Sequence, residues 1–265
     1  MNGLGKVDRT RLSAVLRGTK GTISVAEATD ILKLSGSSTA KLLSRWAKKG
    51  WLSRVRRGLY IPVPLESPTA DIPLEDAWII ADKLFSPCYI GGWSAAEHWG
   101  LTEQIFRTVI VLTEQRPRVR KQSIKGTMFL LKTVPNNAMF GLKAVWRGQV
   151  KMKVSDPART IVDMLSDPLL AGGLRSMVDM FRNYLNSDLK DLALLVEYAN
   201  QLGNGAVFKR LGFLLEKYAE NEESYIEQCR QGLTAGNAKL DPSLSAEQRL
   251  VTRWRLWVPE RWLKE

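Results

Sequence analysis

One stretch of this chain, from Ser35 to Pro64, restricts the possible folds more than any other. Its first part predicts an amphipathic helix over residues 38–49, because apolar and basic side chains recur at helical spacing. Lys41, Arg45 and Lys48 are four and three residues apart, so they share one helix face. Another face carries the side chains that we expect to be buried, namely Ala40, Leu42, Leu43, Trp46 and Ala47.

A hairpin pattern follows this helix. Gly50 is a good helix terminator, because a residue without Cβ can adopt the left-handed conformation. Trp51–Val55 and Leu59–Ile61 then alternate as two short strands, joined at Arg56, Arg57 and Gly58. A helix with a cationic face followed by a cationic hairpin is typical of a recognition helix and its wing.

Two shorter helical patterns precede the stretch, over Asp8–Arg17 and from Ser24 to Leu32, the second opened by a Ser24–Glu27 capping box. Three helices and a hairpin within about 60 residues predict a winged helix-turn-helix. A proline-rich segment follows, so we place a domain boundary near residue 65. The predicted fold class is α+β, with a winged helix-turn-helix DNA-binding domain over residues 1–65 and a larger α+β domain over residues 66–265.

The net charge of +12 is concentrated at the N-terminus. Residues 1–64 contain 13 Lys or Arg and 3 Asp or Glu, a net charge of +10, whereas the remaining 201 residues have a net charge of only +2. A localised basic surface is the electrostatic mark of a polyanion binder. A solvated, highly soluble domain is the simpler explanation, but clustering on one helix face and one turn favours nucleic acid.

If the third helix lies in the major groove, its N-terminal end faces the base edges. Side chains near that end are then candidates for base or phosphate contacts, and those further along or on the wing are candidates for phosphates or an adjacent groove. The candidate DNA-binding residues are Ser37, Ser38, Thr39, Lys41, Arg45, Lys48, Lys49, Arg54, Arg56 and Arg57.

A second basic cluster lies in a predicted loop of the larger domain. Its members are Arg116, Arg118, Arg120 and Lys121. The cluster is equally well explained as a charged loop that protects a sheet edge and as a further nucleic-acid or partner contact.

The larger domain has four segments with the two-residue period of strands, at Arg107–Thr113, Lys125–Lys132, Leu142–Arg147 and Val150–Val154. The intervals between them are too short for crossover helices, so we expect a mostly antiparallel sheet. Several helices follow from Asp156, which is an N-cap residue followed by proline. Residues 249–258 alternate again and are expected to return to the sheet.

Several classes of protein find no support in the sequence. The only histidine, His98, is best explained as packing at a helix end, and Asp156, Asp163 and Asp167 are better explained as helix residues and caps than as a metal site. Nucleotide-binding and hydrolase motifs are absent. We therefore predict a protein that is not an enzyme, with no catalytic site, cofactor or metal. Two cysteines and no apolar run of membrane length or signal peptide favour the cytoplasm and predict no membrane contact.

Five segments together resemble the AbiEi family of antitoxin-type transcriptional regulators from bacterial abortive-infection, or type IV toxin–antitoxin, systems. They are Trp51–Pro62, Tyr89–Leu101, Ser155–Gly173, Arg210–Leu215 and Trp254–Pro259. The resemblance implies a repressor that binds inverted repeats in its own promoter, and a C-terminal domain that counteracts a nucleotidyltransferase-like toxin without a stable complex. It also implies DNA contacts by Arg54, Arg56 and Arg57, and by Lys41 and Arg45, and a role in phage defence.

Two alternatives remain open from the residues. A ligand-responsive transcriptional regulator would need a deep apolar pocket with a few polar groups in the larger domain. A nucleic-acid-processing enzyme would need a cluster of carboxylates in a cleft.

Overall fold

A computed structural model describes residues 5–64, 67, 76–244 and 247–264. The chain is α+β. Residues 5–64 form three helices and three short strands: α1 (Lys6–Gly18), β1 (Ile23–Ser24), α2 (Val25–Leu32), α3 (Gly36–Lys48), β2 (Leu52–Arg56) and β3 (Leu59–Pro62). The three predicted helices and the hairpin are therefore confirmed, and β1 is an addition that its two-residue length hides from pattern analysis.

The N-terminal elements share one small core. The strands pair antiparallel in the order β1-β3-β2, and the helices cover one face of that sheet. Its fully buried members include Val15 of α1, Leu43 and Trp46 of α3, and Leu52 of β2. The side chains that define the amphipathic helix at the sequence level are thus the ones that hold α3 in place.

The capping box of α2 is confirmed. Ser24 Oγ accepts a hydrogen bond from the Glu27 backbone N–H at 3.2 Å, and Glu27 Oε2 accepts one from the Ser24 backbone N–H at 3.0 Å. The Glu27 carboxylate also binds Lys83 Nζ at 2.8 Å, so it links α2 to α4 (Ala77–Phe85) of the larger part of the chain.

Strand β3 packs on both faces. Tyr60 lies in the N-terminal core, whereas Leu59 and Ile61 lie in a second core with Trp78 and with Val63, which follows the strand. Because one strand contributes to both cores, the N-terminal elements are joined to the rest of the chain by buried apolar surface. The domain boundary that we expect near residue 65 lies outside the described residues.

Six of the described strands form one mixed sheet. They are β4 (Cys88–Ile90), β5 (Thr108–Thr113), β6 (Lys121–Ile124), β7 (Thr127–Thr133), β8 (Leu142–Arg147) and β9 (Val150–Ser155), in the order β6-β7-β5-β4-β9-β8. The four predicted strands are confirmed. The sheet is less antiparallel than expected, because two pairs of neighbouring strands are parallel. Strand β7 lies between β6 and β5 and runs parallel to β5, and β9 runs parallel to β4.

Helices cover this sheet and form most of the remaining chain. In chain order they are α5 (Gly92–His98), α6 (Pro157–Ser166), α7 (Leu174–Leu185), α8 (Leu192–Leu202), α9 (Gly205–Tyr218), α10 (Glu223–Gln231) and α11 (Arg261–Lys264). The Asp156 N-cap is confirmed, since its side chain accepts from the Arg159 backbone N–H at 2.8 Å. No helix in the described ranges is long and apolar enough to cross a membrane.

The alternating segment at residues 249–258 does not return to the main sheet, so that expectation is wrong. It folds into β11 (Gln248–Val251) and β12 (Leu256–Pro259), which pair with each other in a separate sheet. Strand β12 also pairs with β10 (Ala238–Lys239), so the strand order is β10-β12-β11. A short 3₁₀ turn and Arg255, whose φ is +49°, reverse the chain between the two strands. This reversal pairs the segment with itself and buries Trp254 against α9.

Candidate nucleic-acid interface

The N-terminus of α3 carries a group of serine hydroxyls. Ser35 caps the helix, with its Oγ accepting from the Ser38 backbone N–H at 3.3 Å and donating to Ser38 Oγ at 2.9 Å. Ser37 and Ser38 are exposed in the first turn. Exposed hydroxyls and free backbone N–H groups at the positive end of a helix dipole suit a phosphate or another anion.

The two faces of α3 differ in charge and burial. Lys41, Arg45 and Lys48 are exposed on one face, and Leu42, Leu43 and Trp46 are buried on the other. Lys49 is half-buried at the C-cap, and Gly50 ends the helix with a φ of +83°. The helix therefore presents a row of cations to solvent while its apolar face is fixed by the core.

Thr39 is the one candidate in α3 that the structure removes from the surface. Its side chain is 0% exposed, and its Oγ1 has no hydrogen-bond partner among the described residues. Thr39 lies three and four residues before Leu42 and Leu43, so it belongs to the buried stripe. That spacing is the sequence signal by which its burial could have been predicted.

Arg45 is engaged by an acidic side chain of α1. Its Nη2 donates to the two carboxylate oxygens of Asp8 at 3.0 and 3.2 Å. The Arg45 side chain is 54% exposed and that of Asp8 is 16% exposed. A pair this open to solvent is worth about 0–1 kcal/mol, so Arg45 can exchange Asp8 for another anion at little cost.

The hairpin of β2 and β3 presents three more cations, two on β2 and one in the turn. Arg54, Arg56 and Arg57 are all exposed, and a bulge between Arg54 and Arg56 leaves one residue without a cross-strand partner. Gly58 has a φ of +82°, and its carbonyl accepts from the Val25 backbone N–H at 3.1 Å. This bond ties the turn to the start of α2, so the arginines project from an anchored loop.

The second basic cluster lies on a different part of the fold. Arg116, Arg118, Arg120 and Lys121 are exposed in the connection from β5 and at the start of β6. Strand β6 is an edge of the six-stranded sheet and does not pair with the N-terminal sheet. The cluster therefore belongs to the six-stranded sheet and not to the three-stranded sheet that carries the hairpin.

The three aspartates near α6 each have their own protein partners. Asp156 caps α6 and accepts from Tyr198 Oη at 2.8 Å, and Asp167 accepts from Lys132 Nζ at 2.5 Å. Asp163 pairs with Arg159 at 3.0 Å and accepts from Tyr89 Oη at 3.0 Å. Among the described residues, no group of three or more His, Cys, Asp or Glu is arranged to hold a metal ion.

Sequence reasoning missed the buried polar cluster of Tyr89, Arg159 and Asp163. Arg159 is 0% exposed, and its guanidinium also lies 4.0 Å from the centroid of the Phe140 ring. Burial opposes its charge, but the Asp163 carboxylate and Tyr89 raise the pKa of Arg159. Burial, together with the Asp163 charge, raises the pKa of Tyr89. The i, i+4 spacing of Arg159 and Asp163 indicates an ion pair on one helix face. No local pattern indicates that Tyr89, 70 residues before Arg159, joins the pair.

A cavity of about 300 Å³ lies beside α5. Its wall includes Trp78, Glu97, His98, Phe106 and Arg147. Burial and the nearby Arg147 charge lower the pKa of His98, whose ring packs edge-on against Trp78 and Trp99. The cavity is at the lower end of the size range of ligand sites, and its wall includes the charged side chains of Glu97 and Arg147, unlike the deep apolar pocket of a ligand sensor.

Comparison with known proteins indicates the class of the N-terminal part. Residues 11–63 match the model of a family described as "Transcriptional regulator, AbiEi antitoxin". The resemblance seen in the sequence is confirmed over this range, which includes α3 and the hairpin. Four of the five resembling segments lie outside it. No curated protein matches the sequence.

The fold has a counterpart among solved structures. The crystal structure of the Rv2827c protein from Mycobacterium tuberculosis aligns with 100% of this chain and 97% of its own chain, with a TM-score of 0.63 and 13% sequence identity. At this identity the likeness is one of fold alone.

Proposed function

We propose that the N-terminal elements are a winged helix-turn-helix that binds double-stranded DNA at inverted repeats in the promoter of its own operon and represses transcription. The observation that carries the proposal is the set of exposed cations on α3 and the hairpin turn. They are Lys41, Arg45, Lys48, Arg54, Arg56 and Arg57. The family match over residues 11–63, to transcriptional regulators, supports the same assignment.

In this proposal α3 enters the major groove with its N-terminal end toward the base edges. Ser37, Ser38 and Lys41 then contact bases or phosphates at that end. Arg45, Lys48 and Lys49 contact phosphates further along, and the wing arginines reach an adjacent groove or its phosphates. Thr39 is left out of the contact set because its side chain is buried.

Repression is half of the proposed role. The part of the chain from residue 66 onward is proposed to counteract a nucleotidyltransferase-like toxin without forming a stable complex with it. The word "antitoxin" in the description of the matching family supports this half. No catalytic residue is assigned, and the second basic cluster remains a candidate secondary contact.

A gel-shift titration against the DNA upstream of the gene, at several salt concentrations, tests the DNA half. The wild-type chain is compared with the Arg56→Ala/Arg57→Ala variant. A matched control, Arg175→Ala/Arg249→Ala, removes the same number of charges from two exposed arginines outside both basic clusters. We expect the slope of log K against log salt to become shallower by roughly 2 in the wing variant, since each phosphate contact contributes about 0.9.

Two outcomes would count against an operator-binding wing. One is equal wild-type affinity for the upstream DNA and for unrelated DNA of the same length. The other is an equal loss in the wing variant and the control, which would mean that net charge alone sets the affinity.

Co-expression with a neighbouring nucleotidyltransferase-like gene, each from an unrelated inducible promoter, tests the antitoxin half. We expect the wild-type chain to restore growth, and the Arg56→Ala/Arg57→Ala variant to restore it equally, because neutralisation is proposed not to require operator binding. Growth arrest that the wild-type chain does not relieve would contradict the antitoxin role and leave the DNA result standing.

A further inference from the structure

The hairpin of β8 and β9 exposes an aromatic side chain between lysines. Trp146 is 65% exposed, the largest exposure of any tryptophan among the described residues. Lys151 lies directly opposite it on β9, and Lys153 lies opposite Ala144, one pair further along the same face. Residues that oppose each other in an antiparallel pair point to the same side of the sheet, so the indole and both ammonium groups share one surface.

The other face of the hairpin is packed against the protein. Val145, Val150 and Met152 belong to the second core. The Arg147 guanidinium lies 4.1 Å from the centroid of the Trp78 ring on that side. The packing of its inner face therefore fixes the hairpin in place, and the face with Trp146 is exposed to solvent on an ordered strand pair. Alternation along a strand forces this division, because the residues on either side of Trp146 point inward.

The open face also carries positive charge without compensation. The hairpin, residues 142–155, contains no acidic residue. Lys151 and Lys153 are exposed, and neither forms an ion pair with any residue that the structure describes. Two residues apart on one strand, their Cα atoms are about 7 Å apart, so each ammonium group can engage a separate anion.

We propose that this face, defined by Trp146, Lys151 and Lys153, binds single-stranded nucleic acid. The indole offers a flat apolar ring on which an unpaired base stacks, and the two lysines bind the phosphates on either side of that base. A base inside a duplex has both of its faces covered, so a solvent-exposed ring on a sheet surface suits an unpaired strand. The site is separate from the proposed duplex-binding surface on α3 and the wing.

An acidic peptide would also neutralise the lysines. It would gain little from the indole face, whereas stacking of a base on an aromatic ring is worth roughly 1–3 kcal/mol when measured by alanine substitution. The combination of one aromatic ring and two nearby cations therefore favours single-stranded nucleic acid over an acidic peptide.

Fluorescence anisotropy of labelled 12-nucleotide single strands, one of RNA and one of DNA, tests the proposal with the full chain. The variants are Trp146→Ala, Trp146→Phe and Lys151→Glu/Lys153→Glu. Arg175→Glu/Arg249→Glu is the matched control, because both arginines are exposed and the change in charge is the same. Each variant is also titrated with a labelled duplex from the upstream DNA.

For at least one of the two strands, we expect Trp146→Ala to weaken binding by about 5- to 100-fold, the range that loss of one stacked base allows. Trp146→Phe should retain most of the affinity, because a phenyl ring still stacks. The lysine variant should lose more affinity than its control. Both Trp146 variants should bind the upstream duplex within about twofold of wild type, since stacking on a hairpin outside the wing does not enter duplex recognition. The lysine variant should lose no more duplex affinity than its charge-matched control.

No binding of either single strand at low salt would overturn the proposal. Unchanged affinity in Trp146→Ala, or an equal loss in the lysine variant and its control, would overturn it as well. Failure of the operator proposal is distinguishable, because it would appear in the duplex titration and depend on Arg56 and Arg57. An unchanged midpoint of thermal unfolding in Trp146→Ala would show that a lost affinity is not lost folding.

Discussion

The guanidinium of Arg159 and the carboxylate of Asp163 lie 3.0 Å apart on successive turns of α6, and both side chains are almost completely buried. Tyr89 completes the arrangement, since its hydroxyl donates to Asp163 and accepts from Arg159 Nη2, each at 3.0 Å. Tyr89 belongs to β4, so the cluster fastens α6 to the centre of the six-stranded sheet. A buried pair of this kind is costly to break from one side, because the remaining charge loses its compensation.

Asp163→Asn should therefore destabilise the chain by about 3–5 kcal/mol, since it leaves the Arg159 charge buried without a counter-charge. Asp8→Asn is the matched control, because it removes one partner of the exposed pair with Arg45 and should cost less than about 1 kcal/mol. Urea unfolding followed by circular dichroism gives both values. Equal small losses in the two variants would mean that Arg159 finds water or another partner and that the cluster does not stabilise α6.

The buried hydroxyl of Thr39 leads to the opposite expectation. Thr39→Val replaces a group without a hydrogen-bond partner among the described residues, so stability should stay unchanged or rise by up to about 1 kcal/mol. Thr160→Val is the matched change at a satisfied hydroxyl, whose Oγ1 lies 2.7 Å from both the Asp156 carbonyl and Ser155 Oγ, and it should cost about 1–3 kcal/mol. Operator affinity of Thr39→Val should remain within about twofold of wild type. A larger loss of operator affinity at unchanged stability would indicate that Thr39 contacts DNA after all.

The N-terminal elements could be predicted from sequence because each of their signals is local. The Ser24–Glu27 box, Gly50 and the turn at Gly58 each act within four residues, and the structure uses all three. The exposed row of Lys41, Arg45 and Lys48 follows directly from helical spacing. The sequence analysis missed the two-residue strand β1 and the rotation of α3 that buries Thr39, although helical spacing predicts the second.

The larger part of the chain was less predictable because its contacts are distant. Tyr89 and Asp163 are 74 residues apart, and no local pattern links them. The parallel pairing of β4 with β9 depends on how the intervening strands are placed. The reversal at Arg255 requires a left-handed residue that is not glycine, which turn rules do not anticipate. Local chemistry therefore predicts the candidate interface better than the core behind it.

Glu27 should make stability depend on pH in the acidic range. Burial opposes its charge, but hydrogen bonds from Lys83 and Ser24 outweigh burial and hold the pKa of Glu27 below its ordinary value of 4.5. A carboxylate with a lowered pKa contributes stability that is present above the unfolded value and is lost as the pH falls through the folded value. The difference in melting temperature between wild type and Glu27→Gln should therefore shrink as the pH falls below about 4.5. The exposed Glu220→Gln should track wild type throughout, and a constant difference for Glu27→Gln would exclude this linkage.

Gly212 of α9 allows the close approach of Trp254. A Cβ at residue 212 would lie 2.0 Å from Cζ3 of the buried indole, which Glu216 also holds through a 2.7 Å hydrogen bond from Nε1. Gly212→Ala should lose about 1–2 kcal/mol in urea unfolding, because overpacking outweighs the gain of up to about 1 kcal/mol from helix propensity. Gly36→Ala in α3, where a Cβ meets no atom within 4 Å, should be neutral or stabilising. If Gly212→Ala instead raised the free energy of unfolding, the sheet of β10, β11 and β12 would have to move away from α9 without cost.

Asp8 holds Arg45 in an ion pair that a DNA phosphate would replace in the proposed complex. Asp8→Asn frees the guanidinium and removes a negative charge beside the proposed phosphate contact, so operator affinity should rise by about two- to fivefold, the equivalent of roughly 0.5–1 kcal/mol for an exposed pair. Asp30→Asn is the matched control, since Asp30 is an exposed acid of α2 with no ion pair among the described residues. The gain in affinity from Asp30→Asn should be smaller than that from Asp8→Asn and should disappear at a lower salt concentration, because this substitution alters only a long-range interaction. The gain in Asp8→Asn should disappear when Arg45 is also changed to alanine, and a gain that persists in that double variant would show that Asp8 acts on DNA without Arg45.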